Sequence, residues 1–275
     1  MNNSISDTEL ASRPIGIFDS GIGGLTVAHA LVQQLPQENI IYFGDTAHLP
    51  YGEKSAAAIQ AYTVKIVHLL LQQQCKLILI ACYSASTAAY DLIKEYVGSQ
   101  ALVVNVVDPV VHFLKQHYAK KNIGLIGTRQ TVNSNIFKKK IDDLNMEIQL
   151  HSHATNLLAA AIEEFGNHRV IDVLLETYLS HPTLQHIDAL VLACTHYPIV
   201  QENVRKQYKR AIEIIDSSEI VAQTVKKQLE EHHLLNKKGN GNKHFYVSDY
   251  TNTFAANAKL FFGGDITLEH YPLWD

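Results

Sequence analysis

LVLACTHYP, residues 190–198, reads as a buried strand of Leu, Val and Ala that stops at Cys194, followed by polar groups and a proline-marked helix start. In open parallel α/β sheets ligands bind at the carboxyl ends of the strands, so a thiol at that edge faces a crevice. The stretch has a twin. LILIACYSAS, residues 77–86, is another aliphatic strand running into Ala-Cys, with Cys82 standing 112 residues before Cys194. A lone unpaired cysteine is ordinarily a small buried hydrophobe. Two in matched settings point to one site built from two halves.

Working outward from the pair, the repetition extends to other landmarks. Pro14 to Phe18 reads as a short strand, and Ile123 to Ile126 repeats it, with Gly124 standing 108 residues after Gly16. Asn39 to Phe43 is a second strand, repeated by Glu147 to Leu150; Thr131 is read as the cap of the helix between them. Leu102 to Val106 and Ala211 to Ile215 complete each half, and apolar-periodic helices from Leu25 to Leu35, Ser55 to Gln74 and Tyr83 to Val97 alternate with the strands. A strand-helix alternation repeated in this way predicts an α/β fold of two pseudo-symmetric, doubly wound parallel-sheet domains facing each other across a cleft. The tail (a helix to about His233, a strand at Phe245 to Val247, a helix at Asn252 to Phe262) is too short for a third domain and is expected to return to the first half. The expected boundaries are residues 1–106 plus 217–275 for the first domain and 107–216 for the second.

Composition narrows the function. At 275 residues with 47% hydrophobic and 18% charged residues, the chain reads as an ordinary soluble globular protein with a substantial core. The net charge of −4 and the absence of any basic block beyond KKK at 138–140 argue against nucleic acid as a partner. The polar leader MNNSISDTELASRP has no apolar signal region, no run is long enough to span a membrane, and three cysteines without a disulfide spacing suit a reducing cytoplasm. His232 and His233 are read as solvated, and no metal-ligand constellation or Schiff-base lysine stands out. Cys75 lies before its strand and is read as structural.

The turn after the first strand, Asp19-Ser20-Gly21-Ile22-Gly23-Gly24, lacks the dinucleotide fingerprint, since Thr26 stands where the third glycine belongs. Backbone N–H groups at the following helix start can hold a carboxylate, with Asp19 and Ser20 adding an acceptor and a hydroxyl; a plain tight turn is the competing reading. If Cys82 and Cys194 come from opposite walls of a cleft, each beside a helix amino terminus, the ordinary thiol pKa of about 8.5 falls and a thiolate becomes accessible. One thiolate and one thiol make a base and an acid on opposite faces of a bound carbon, which is what inversion of that carbon requires. Asp19 is the candidate assistant on the first side, and His196 and Glu163 on the second.

IGIFDSGIGGLTV, YFGDTAHLPYGEKS, the Ala-Cys strand end at 81–82, LVLACTHYPI and the tail FYVSDYTNTFAANAKLFFGG together resemble the cofactor-independent aspartate/glutamate racemase superfamily, and within it the glutamate racemases. The resemblance implies pyridoxal-free interconversion of L- and D-glutamate, supplying D-glutamate for peptidoglycan, in a cytoplasmic homodimer with no cofactor. It further implies that Cys82 takes the proton from D-glutamate and Cys194 from L-glutamate, assisted by Asp19 and by Glu163 with His196. Substrate contacts would include Asp19, Ser20, Pro50, Tyr51, Gly52, Tyr83, Ser84, Thr128, Thr195 and His196. Cys82-Tyr83-Ser84 stands where the family usually reads Cys-Asn-Thr, and Asn156 where a Pro is more usual. The rival readings are a racemase of another amino acid such as aspartate on the same scaffold, and a two-lobed binding protein without catalysis.

Overall fold

The computed structural model describes residues 6–165, 169–238 and 240–274. A short helix, α1 (Asp7–Ser12), capped by the Ser6 hydroxyl, lies within the polar leader. The first half then runs β1 (Ile15–Asp19), α2 (Leu25–Gln34), β2 (Ile40–Gly44), α3 (Ala56–Gln72), β3 (Leu77–Ile80), α4 (Tyr83–Val97) and β4 (Leu102–Asn105). The second runs α5 (Val107–His117), β5 (Asn122–Gly127), α6 (Arg129–Asn133), α7 (Ile136–Asp143), β6 (Gln149–Ala154), α8 (Leu158–Phe165), α9 (Arg169–Leu179), β7 (Ala189–Ala193), α10 (Gln201–Lys206) and β8 (Glu213–Ile215). The chain closes with α11 (Ser217–Glu231), β9 (Lys243–Val247), α12 (Asn252–Phe262) and β10 (Glu269–His270).

Two all-parallel sheets result, in the orders β10-β9-β2-β1-β3-β4 and β6-β5-β7-β8. The order β2-β1-β3-β4 in one is matched strand for strand by β6-β5-β7-β8 in the other. The duplicated landmarks of the sequence are therefore a duplicated topology. Parallel strands joined by helices are buried on both faces, which is why β3 and β7 are continuous aliphatic runs and β1 and β2 are aliphatic or aromatic apart from Gly16, Asp19 and Gly44, with no exposed residue in any of the four.

Two local readings are corrected here. The helix after β5 is capped by Thr128, whose hydroxyl accepts the Thr131 N–H, so Thr131 lies inside the first turn rather than before it. The repeat of β2 starts at Gln149, two residues beyond the expected position, because Asn145 and Glu147 adopt left-handed conformations that keep the chain in a turn. The tail contributes two strands to the first sheet, β9 beside β2 and β10 beside β9. Cys75 packs against Gly16, where a Cβ would stand 2.9 Å from its Sγ; burial pushes the thiol up to about 12. It is a core residue under β1.

Candidate active site

The loops after β1, β2, β3, β5 and β7 converge between the two sheets around an enclosed cavity of about 80 Å³. Cys82 and Cys194 both line it, at 5% and 6% exposure. Each comes from the loop after its strand: Cys82 is the N-cap residue of α4, and Cys194 is followed by a 3₁₀ turn at Tyr197–Val200 and the short α10. The volume lies well below the ~300 Å³ at which ligand clefts usually begin, so the walls are drawn together. Across this gap the Ser84 and Thr128 hydroxyls bond at 2.9 Å, and the exposed Glu53 carboxylate meets Arg129 at 3.2 Å.

The two thiols have different neighbours. Burial, followed by the charge of Asp19, pushes Cys82 up to about 12, only partly offset by hydrogen bonds from the Ala85 N–H and from Ser20. The expectation that a helix start would make this thiolate accessible is overturned: desolvation of a wholly enclosed sulfur outweighs the partial charge of the helix terminus. Asp19 behind it is fully buried, and its Oδ2 accepts the N–H groups of Gly21 and Gly24 at 3.2 and 3.0 Å. Burial raises its carboxyl above the ordinary range, against the charge of His196 and those two amide bonds. Asp19 itself is not among the residues lining the cavity; it reaches the other wall through Oδ1, which accepts the Thr195 hydroxyl at 3.4 Å.

On the second wall His196 Nδ1 faces Cys194 Sγ at 3.9 Å, and its Nε2 lies 3.0 Å from Glu163 Oε2. Burial alone would lower the imidazole pKa, but bonding to the Cys194 sulfur and the Glu163 carboxylate, and their charge, hold it well above its ordinary value. Glu163 Oε1 is buried with no hydrogen-bond partner among the described residues. No long helix starts beside Cys194. The group placed to carry positive charge there is the His196 ring rather than a helix terminus.

A racemase-family model, Asp/Glu/Hydantoin racemase, matches residues 15–225. A glutamate racemase from Chlorobaculum parvum is 39% identical over 255 residues, covering 92% of this chain and 93% of that protein. The chain belongs to the Asp/Glu/hydantoin racemase family. Among solved members, the glutamate racemase of Francisella tularensis in complex with D-glutamate superposes with a TM-score of 0.89 at 36% identity, covering 96% of this chain and 99% of that one. The glutamate racemase isoform RacE1 from Bacillus anthracis matches with a TM-score of 0.89 at 30% identity, covering 94% and 98%.

Of the residues that the racemase resemblance singles out, Ser20, Pro50, Tyr51, Gly52, Tyr83, Ser84, Thr128, Glu163, Thr195 and His196 line the cavity with the two thiols. Tyr83, standing where the family usually has Asn, is 2% exposed and stacks on Phe137 of α7 with ring centroids 6.2 Å apart. Its ring therefore spans the two halves. The lining also includes Gly21, Leu49, Ala159 and Ala160, which carry no polar side chain and so give no chemical signal in sequence. Gly23 is a different omission. A Cβ there would stand 2.4 Å from the His196 ring and 2.6 Å from Thr195 Oγ1, so the glycine turn of the first half is the surface on which the second wall rests.

Proposed function

We propose that this protein interconverts L- and D-glutamate by a two-thiol acid/base mechanism without a pyridoxal cofactor, supplying D-glutamate for peptidoglycan in the cytoplasm. The observation that carries the reading is that Cys82 and Cys194, from equivalent positions of two duplicated halves, line one enclosed cavity. The relatives' names, and the D-glutamate bound by the Francisella tularensis protein, support glutamate as the substrate. No helix among the described residues is long and apolar enough to cross a membrane.

In the L-to-D direction, Cys194 as thiolate beside the His196 imidazolium removes the α-proton, and the Cys82 thiol delivers its proton to the opposite face. The His196 imidazolium then passes a proton to Glu163 and on to solvent, and the neutral ring takes the proton left on Cys194, which restores the thiolate beside an imidazolium. In the reverse direction Cys82 must ionise, and Asp19 with the Ser20 hydroxyl is the nearby machinery that handles its proton. Glutamate in deuterated water tests the scheme. Wild type should exchange and invert both enantiomers. Cys194→Ser should exchange the α-proton of D-glutamate without inverting it, and Cys82→Ser should do the same with L-glutamate. Exchange with aspartate but not glutamate would reassign the substrate, and full inversion by either variant would refute the two-thiol scheme.

A further inference from the structure

Tyr51 lines the cavity, yet its hydroxyl points away from it and donates to Asp45 Oδ2 at 2.6 Å. Burial first, then the charge of Asp45, keeps that phenol protonated far above its ordinary range, so it is an anchor and not a proton carrier. Asp45 is fully buried, does not line the cavity, and sits among donors from its own loop and from two distant parts of the chain. Its Oδ1 accepts the Ser248 hydroxyl at 2.9 Å and the Trp274 indole N–H at 2.7 Å, while His48 Nδ1 lies 3.1 Å from both oxygens. The Trp274 ring meets the edge of His48 at 4.4 Å and Tyr62 at 5.6 Å, and carries the Lys65 ammonium 4.6 Å above it. A carboxylate with this many donors is a fixed point. The backbone hung from it, Leu49-Pro50-Tyr51-Gly52, is one wall of the cavity, and Gly52 abuts Thr128 so closely that a Cβ would stand 2.7 Å from the Thr128 Cβ.

We propose that Trp274 is a positioning residue for substrate binding: through Asp45 and Tyr51, its indole N–H fixes the 49–52 wall on which the ligand closes. The proposal rests on the racemase reading above. The relay touches neither thiol, so it governs how well the wall meets the ligand and not the proton transfers. Losing one donor to a buried carboxylate should loosen that wall without unfolding the domain.

The test uses the full chain with L- and D-glutamate. Trp274→Phe, which keeps the ring and removes the N–H, should raise KM for both enantiomers ~5-fold while kcat stays within about twofold. Trp274 is the one tryptophan of the chain, so its emission should shift when D-glutamate is added to the wild type, half-saturating at the KM. Lys65→Ala, which leaves the indole bond in place, should leave KM unchanged. Unaltered KM in Trp274→Phe, or emission indifferent to D-glutamate, overturns the relay. An equal KM rise in Lys65→Ala overturns it too, because tail packing would then be responsible. Should Trp274→Phe fail to fold, Tyr51→Phe breaks the same chain of bonds and is read by the same KM criterion. A wild type that exchanges no glutamate sinks the function and this inference with it; an active wild type with unaltered Trp274→Phe sinks the inference alone.

Discussion

Gly23→Ala isolates the contact between the two halves. The backbone at Gly23 is not left-handed, so alanine meets no conformational penalty there; the whole effect is steric. The added methyl would lie 2.4 Å from His196 Cε1 and Nδ1, where ordinary van der Waals contact begins at 3.4 Å, so the imidazole must retreat by about 1 Å. Its Nδ1 is already 3.9 Å from Cys194 Sγ, at the outer limit of a sulfur hydrogen bond, and its Nε2 is tied to Glu163 at 3.0 Å. A 1 Å displacement of a positioned group costs on the order of 10²-fold in rate, or ~2.7 kcal/mol of barrier. Racemisation should therefore fall about 100-fold. The loss should be one-sided in deuterated water: α-proton exchange from L-glutamate collapses, while exchange from D-glutamate, begun at Cys82, persists. Gly264→Ala, where a Cβ meets nothing within 4 Å, is the control. Racemisation within about threefold of wild type, or equal loss of exchange from both enantiomers, would refute the claim that the glycine turn supports the second wall.

Two further predictions concern burial. In a Cys75→Ala/Cys194→Ala background, the rate of Cys82 alkylation by a neutral thiol reagent should keep climbing with pH toward about 12, where burial pushes the thiol; a plateau near the ordinary value of about 8.5 would show that the sulfur is solvated. Lys76 and Glu38 form an ion pair with side chains 2% and 1% exposed, the ammonium also bonded to the Ala11 carbonyl and the carboxylate accepting the Asn236 N–H at 2.7 Å. Lys76→Met leaves that carboxylate buried without its cation and should cost ~3–5 kcal/mol in denaturant unfolding. A loss below ~1 kcal/mol would mean that water reaches the pair.

The parts of this molecule that are legible in sequence are those encoded locally. A strand of four or five aliphatic residues, a turn with glycine or a hydroxyl, and a periodic helix can be read from neighbouring residues, and their recurrence at offsets of 108 and 112 foretells two sheets of matching order. The thiols are legible for the same reason, since each ends a strand. What escapes is fixed by partners far along the chain. Trp274 bonds to Asp45 across 229 positions, and β10 is two polar residues that become a strand only beside β9. Gly23 reads as one more turn residue because its reason, the His196 ring, lies in the other half. The protonation of Cys82 escapes most completely. The motif supplies the helix start that lowers a thiol pKa, while the desolvation that raises it belongs to the closed cleft as a whole.

That last failure bears on the proposed mechanism. Duplicated halves supply two thiols in equivalent positions, but inversion needs them unlike at any instant, one protonated and one not. Equal surroundings would give equal proton affinities, and the doubly protonated and doubly ionised forms, both inactive, would compete with the useful one. Here the surroundings differ in the required sense. Cys82 is held as a thiol by burial and by Asp19, whereas the His196 imidazolium sits beside Cys194 with Glu163 behind it. In the two-thiol scheme proposed above, this asymmetry favours the arrangement that accepts L-glutamate. Turnover leaves Cys82 ionised beside Asp19, the less favourable arrangement, so restoring its proton is part of each L-to-D cycle. The Thr195 hydroxyl on Asp19 and the His196 ring on Gly23 join the two walls behind the sulfurs, and the charge of His196 pulls on Asp19 across that joint. The carboxylate whose charge raises Cys82 is thus the one on which the opposite wall acts.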